Sequence, residues 1–143
     1  MSEILNNNAL IVSALAWALA QISKLLIVLL RERRLEIWFL TSAGGMPSSH
    51  SALVVALATR VAMESGISSN SFAVAAIFAS VVLYDAAGIR RAVSIQASIL
   101  NRMLTEVREY QRFSEQRLLE LLGHTPFEVF VGSLLGLLIA LTW

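Results

Sequence analysis

The chain contains no cysteine and only two prolines in 143 residues. The first absence excludes disulfides, thiolate metal sites and a cysteine nucleophile, and it leaves the redox compartment unread. Charge is scarce as well, at 15% of residues against the roughly 25% usual in soluble domains. Eleven Lys and Arg nearly cancel ten Asp and Glu, for a net charge of +1. No basic run interleaved with aromatics occurs, so there is no electrostatic footprint for nucleic acid. What fills the chain instead is apolar, 57% of residues with a mean hydropathy of +0.70, where about 45–50% apolar is the soluble norm. These figures describe a membrane-embedded protein of one domain, residues 1–143. Four spans at about 20 residues each would take more than half of it and leave no room for a separate soluble catalytic domain.

The first apolar segment runs from Ala9 to Leu30 and is long enough to cross a bilayer. The preceding MSEILNNN lacks a basic region, and no small-residue cleavage site follows, so the segment does not read as a signal peptide. It ends at Arg31, Glu32, Arg33 and Arg34. The loop from Thr41 to His50, with paired glycines and Pro47, opens a helix predicted over Ser48–Ser65, in which Arg60 and Glu64 are spaced to pair on one face. A third span is predicted over Ser71–Ala87, ending at Gly88 just before Arg90 and Arg91. From Ala92 to Leu122 apolar and charged residues alternate at helical period, which fits an amphipathic helix on the membrane surface or against the bundle. Gly123-His-Thr-Pro126 then starts a last span ending at Trp143. The expected fold is an all-α integral membrane bundle of about four transmembrane helices plus one surface helix. Alternating spans bring Arg31, His50, Arg90 and His124 to one membrane face, and with them both histidines of the chain.

Several residues there have more than one reading. Lys24, the only lysine, sits inside a span, where an ionisable group is costly. It either snorkels toward the Arg31 face or serves a site, and Arg31 falls on nearly the same face about two turns later. Pro47-Ser48-Ser49-His50 begins a helix, whose free backbone N–H groups suit phosphate, or it is a plain capped start. Thr125-Pro126-Phe127-Glu128 has the pattern of a capping box, while Glu128 is also one turn from His124 and able to orient its ring. Arg90 and Arg91 are forked phosphate donors or topology anchors, with Asp85 as a supporting partner. Gly132 and Gly136 form a GxxxG pair suited to close helix packing, and to a homo-oligomer.

Taken together, these motifs resemble the type 2 phosphatidic acid phosphatase and vanadium haloperoxidase superfamily, and more closely its small divergent branch of bacterial and plant membrane proteins. The superfamily's first motif is a lysine, six residues, then arginine and proline; Lys24 and Arg31 keep that spacing and Glu32 replaces the proline. The second, Pro-Ser-Gly-His, is matched by Pro47, Ser48, Ser49 and His50 with one substitution. In the third, His124 and Glu128 keep the His-to-Asp spacing with Glu for Asp, while Arg90 and Arg91 lie well upstream of the place where that motif has its arginine. The phrases GGMPSSHSA, YDAAGIRR and LLGHTPFEVFVG resemble the divergent branch almost word for word, from Lys24 to about Gly136.

The resemblance implies hydrolysis of a phosphomonoester or diphosphate of a membrane lipid, with no metal and no cofactor. His124 would attack phosphorus to form a phosphohistidine, Glu128 would orient it, and His50 would protonate the leaving oxygen. Lys24, Arg31, Ser48, Ser49 and one of Arg90 and Arg91 would hold the phosphoryl oxygens. The alternative is a phospholipid-binding or scaffold protein that keeps the pocket without turnover. Nine of the eleven basic residues fall on the motif-bearing side. The positive-inside rule therefore expects a cytoplasm-facing site, with both termini on the opposite side.

Overall fold

The computed structural model describes residues 6–32, 45–88, 95–103 and 124–143. They form five helices and no strand: α1 (Asn8–Glu32), α2 (Ser49–Ser65), α3 (Asn70–Ala87), α4 (residues 95–103) and α5 (Pro126–Thr142). The boundaries follow local chemistry. Ser48, Ser69 and Thr125 cap α2, α3 and α5 by accepting a backbone N–H on their side-chain oxygens, and Gly66 ends α2 at a φ of +82° that a side chain would resist.

Helix α2 is the hub, packed along α1, α3 and α5, while α1 also lies along α5 and α3 meets α5 only slightly. The seam among α1, α2 and α5 is made of small residues. On α1 the buried positions Ala9, Val12, Ser13, Ala16, Ala20 and Lys24 recur every three or four residues, which is one helix face. Ala52 and Ala56 of α2 and Ala140 of α5 complete the core. On α5, a Cβ at Gly132 would run into the backbone of Ser48, and one at Gly136 into the backbone of Ala52. Matching Ser48 to Gly132 and Ala52 to Gly136 makes α2 and α5 parallel, with the start of α2 set against the first two turns of α5.

Two helices, Asn8–Leu30 of α1 and Asn70–Ala87 of α3, are long and apolar enough to cross a membrane. Helices α2 and α5 have 17 residues each, which at about 1.5 Å per residue covers roughly 25 Å of a hydrocarbon core about 30 Å thick. Of the four expected spans, two therefore meet the length and composition requirement. The expected amphipathic stretch Ala92–Leu122 is described only at 95–103, a helix that buries Ala97 and Asn101. Gly132 and Gly136 are covered by α2 of the same chain, so the surface expected to join a second copy is occupied within the protomer.

Candidate functional site

Lys24 stands one turn after Ala20 on the buried face of α1, so the small-residue stripe carries its stem into the bundle. It is only 2% exposed, which decides against snorkelling into the lipid-facing surface. Gly45, at φ +92°, brings the loop before α2 over this stem, and a Cβ there would stand 3.4 Å from the Lys24 Cγ and Cδ atoms. The backbone conformation favours glycine at that position, and the lysine stem packs against it at ordinary contact distance.

The start of α2 is fixed on every side. Pro47, Ser48, Ser49 and Ser51 are buried, and His50, in the first turn, is exposed. The Ser48 N–H donates to the Glu128 carbonyl at 3.1 Å, its own carbonyl accepts from Ala52 N at 3.1 Å, and its Oγ accepts from Ser51 N at 3.4 Å and from Ser51 Oγ at 2.9 Å. The bond to Glu128 ties α2 directly to the first turn of α5.

That first turn holds the second histidine. Thr125 and Glu128 form a complete capping box: Thr125 Oγ1 accepts from Glu128 N at 3.3 Å, and Glu128 Oε2 accepts from Thr125 N at 2.8 Å. The same Oε2 lies 3.3 Å from His124 Nδ1. The capping and orienting roles thus coexist on one oxygen. A carboxylate oxygen only accepts, so the contact puts the His124 proton on Nδ1 and leaves a lone pair on Nε2. That Nε2 is buried and has no hydrogen-bond partner among the described residues. The His124 and His50 rings lie edge to face, centroids 6.2 Å apart. Burial pushes the His124 pKa below the ordinary imidazole value, the nearby Lys24 ammonium and His50 add to this, and Glu128 works against it. The ring is therefore held toward its neutral form, with Lys24 and His50 nearby.

The structure brings together Lys24, Ser48, Ser49, His50, His124 and Glu128 at one end of the bundle. Arg31 lies in the last turn of α1, where the backbone is described and the side chain is not. Arg90 and Arg91 lie outside the described residues, and Asp85, half-buried in the last turn of α3, makes no ion pair among the described residues. No three metal-ligating side chains gather among the described residues. Sequence reasoning missed Ser51. Its signal was a second hydroxyl one turn after the cap, but only the approach of Gly132 to Ser48 shows that position to be sealed from solvent.

The sequence profile described as the Divergent PAP2 family matches residues 5–139. The chain is also 43% identical, over 97% of its own length and 95% of the relative's, to the Uncharacterized membrane protein YuiD of Bacillus subtilis (strain 168). No solved structure matches it. The chain belongs to the Divergent PAP2 family.

Proposed function

We propose, from that membership and from the geometry of the buried histidine, that the protein is an integral, multi-pass membrane enzyme hydrolysing a lipid phosphomonoester or diphosphate through a phosphohistidine, without a metal. The observation that carries this reading is His124, whose Nδ1 is held by Glu128 and whose Nε2 is buried, unpartnered and beside His50. A buried imidazole nitrogen left without a partner calls for an explanation, and an incoming phosphorus supplies one. The Nε2 lone pair attacks phosphorus, the bond to the leaving oxygen breaks, and His50 gives that oxygen a proton. A water, deprotonated by His50, then attacks the same phosphorus, the P–N bond breaks, and inorganic phosphate leaves with His124 restored. Lys24, Ser48 and Ser49, with the N–H groups at the start of α2, hold the phosphoryl oxygens as charge builds on them. Arg31 and one of Arg90 and Arg91 complete the set in this reading.

The test is phosphate release by purified protein from a panel of lipid phosphates and diphosphates. Turnover is expected to survive chelation, to be blocked by vanadate, and to fall to background in His124→Ala with the fold intact. A requirement for added magnesium overturns the mechanism. Vanadate binding without turnover on any lipid would instead support a phospholipid-binding protein that keeps the pocket.

With the spans assigned from the sequence, the basic residues fall on the site-bearing side, so this side faces the cytoplasm in our reading. Single-cysteine labelling is clean in a cysteine-free chain. In intact cells Ser68→Cys, in the exposed turn between α2 and α3, is expected to react with an impermeant maleimide, and Gln96→Cys to resist it. The reverse pattern inverts the orientation and leaves the chemistry untouched.

A further inference from the structure

Buried hydroxyls on apolar helices ordinarily bond back to their own helix, donating to the carbonyl four residues earlier. Hydroxyls of this chain do so at every depth: buried Ser13 Oγ donates to the Ala9 carbonyl, half-buried Ser133 to Val129, and exposed Ser80 and Thr142 to Ala76 and Leu138, at 2.5 to 2.9 Å. Ser51, fully buried, departs from that habit and donates to the Ser48 hydroxyl at 2.9 Å. Capping does not account for this. An N-cap oxygen needs to accept one backbone N–H, and Ser48 Oγ already accepts that of Ser51 at 3.4 Å.

The extra bond has a chemical consequence at Ser48. Its backbone N–H and carbonyl are committed to Glu128 and Ala52, and with Ser51 Oγ as the donor of the hydroxyl pair both lone pairs of the Ser48 hydroxyl are taken by Ser51. A hydroxyl carries one donor and two acceptor sites, so the hydrogen is what Ser48 has left to offer. Its direction is set by the two incoming bonds. The backbone that carries it has no room to shift, because Gly132 sits directly against it.

We propose that Ser51 is a positioning residue, whose buried hydroxyl holds the Ser48 hydroxyl as a donor to a phosphoryl oxyanion bound at the start of α2. The role rests on the reading of this end of the bundle as a phosphoryl site. It goes beyond that reading by assigning a function to a residue that never touches substrate. A donor already aimed before charge develops needs no reorganisation during reaction.

Orthovanadate, a stand-in for five-coordinate phosphorus, is the probe, used on the purified full chain alongside turnover of the best lipid phosphate. Ser51→Ala is expected to weaken vanadate binding about five- to tenfold, the scale of one ordinary hydrogen bond. It is also expected to lower kcat by a similar factor with KM little changed, since the interaction grows in the transition state. Ser51→Cys, close to isosteric with a weak donor, is expected to show the same loss and answers for any folding defect in the alanine variant. Ser13→Ala, which deletes an equally buried hydroxyl far from the site, is expected to lower thermal stability while binding vanadate as wild type does. If wild type binds vanadate and both Ser51 variants match it, Ser51 has no positioning role and the site reading stands. If wild type neither binds vanadate nor releases phosphate from any lipid, the site reading falls and Ser51's role falls with it.

Discussion

Helices α3 and α5 are near equals by composition: 18 and 17 residues, strongly apolar, each opened by a hydroxyl cap. Each buries three small residues and turns large apolar ones outward, and they differ in what the buried stripe can approach. Helix α3 buries only Ala75, Ala79 and Ala86, and turns Val74, Ile77, Phe78, Val81 and Tyr84 outward. Helix α5 buries Gly132, Gly136 and Ala140, and its backbone touches that of α2. The difference is two missing side chains. Alanines hold α3 at ordinary packing distance, where it lends α2 a wall, whereas glycines let α5 come close enough for the Ser48 to Glu128 backbone bond that joins the two histidine-bearing turns. Apolarity puts a helix in the membrane, and the smallest residues decide whether it can build a site.

The sharpest way to break that comparison is to give α5 one of the side chains it lacks. Gly132→Ala puts a Cβ into the Ser48 backbone, an overpacking expected to cost roughly 1–3 kcal/mol and to separate His50 from His124. Val74→Ala on the outward face of α3 should stay within about 0.5 kcal/mol. Unfolding in detergent measures both, and equal losses would erase the distinction between the helices.

A second effect belongs to the α5 end alone. The His124 pKa is lowered in the folded protein, so below the ordinary value of about 6.5 the unfolded chain takes up a proton that the folded chain does not. Stability contributed by the neutral ring is present above that value and is lost as pH falls toward the folded one. The slope is at most about 1.4 kcal/mol per pH unit. Thermal unfolding across this range is expected to show the decline in wild type and a flatter profile in His124→Gln. Identical profiles would mean that the ring is not held neutral.

The smallest effect lies at the far end of α2, where Arg60 Nε and Glu64 Oε1 pair at 3.0 Å. Such an i, i+4 pair contributes about 0.3–0.5 kcal/mol, and Arg60→Ala is expected to lower stability by that order with phosphate release unchanged. A large loss of activity would extend the site well beyond the end described here.

Much of this was legible in the sequence because it is local. Apolar runs placed α1, α2 and α3 to within a few residues, and Thr125, Pro126 and Glu128 announced the α5 cap through a pattern contained in one turn. The meeting of His50 and His124 followed from counting spans. What the sequence did not disclose is long-range contact. Nothing near Gly132 says that its partner is the Ser48 backbone, and the choice between a snorkelling and a buried Lys24 rests on the register of the α1 stripe against its neighbours. Ser51 depends on the same docking, which is why it passed as one more serine of a first turn.

The parallel pairing of α2 and α5 has an electrostatic consequence. Each helix carries the equivalent of roughly half a positive charge at its N-terminus, and the parallel pairing points both ends toward the same side of the bundle. Glu128 offsets the end of α5, but the first turn of α2 has no acidic residue. The bundle thus closes around a positive pole that its own first-turn carboxylates answer only in part. An anion seated there would complete the neutralisation, so ligand and fold draw on the same field, and a phosphate analogue should tighten the helix pair as well as occupy it.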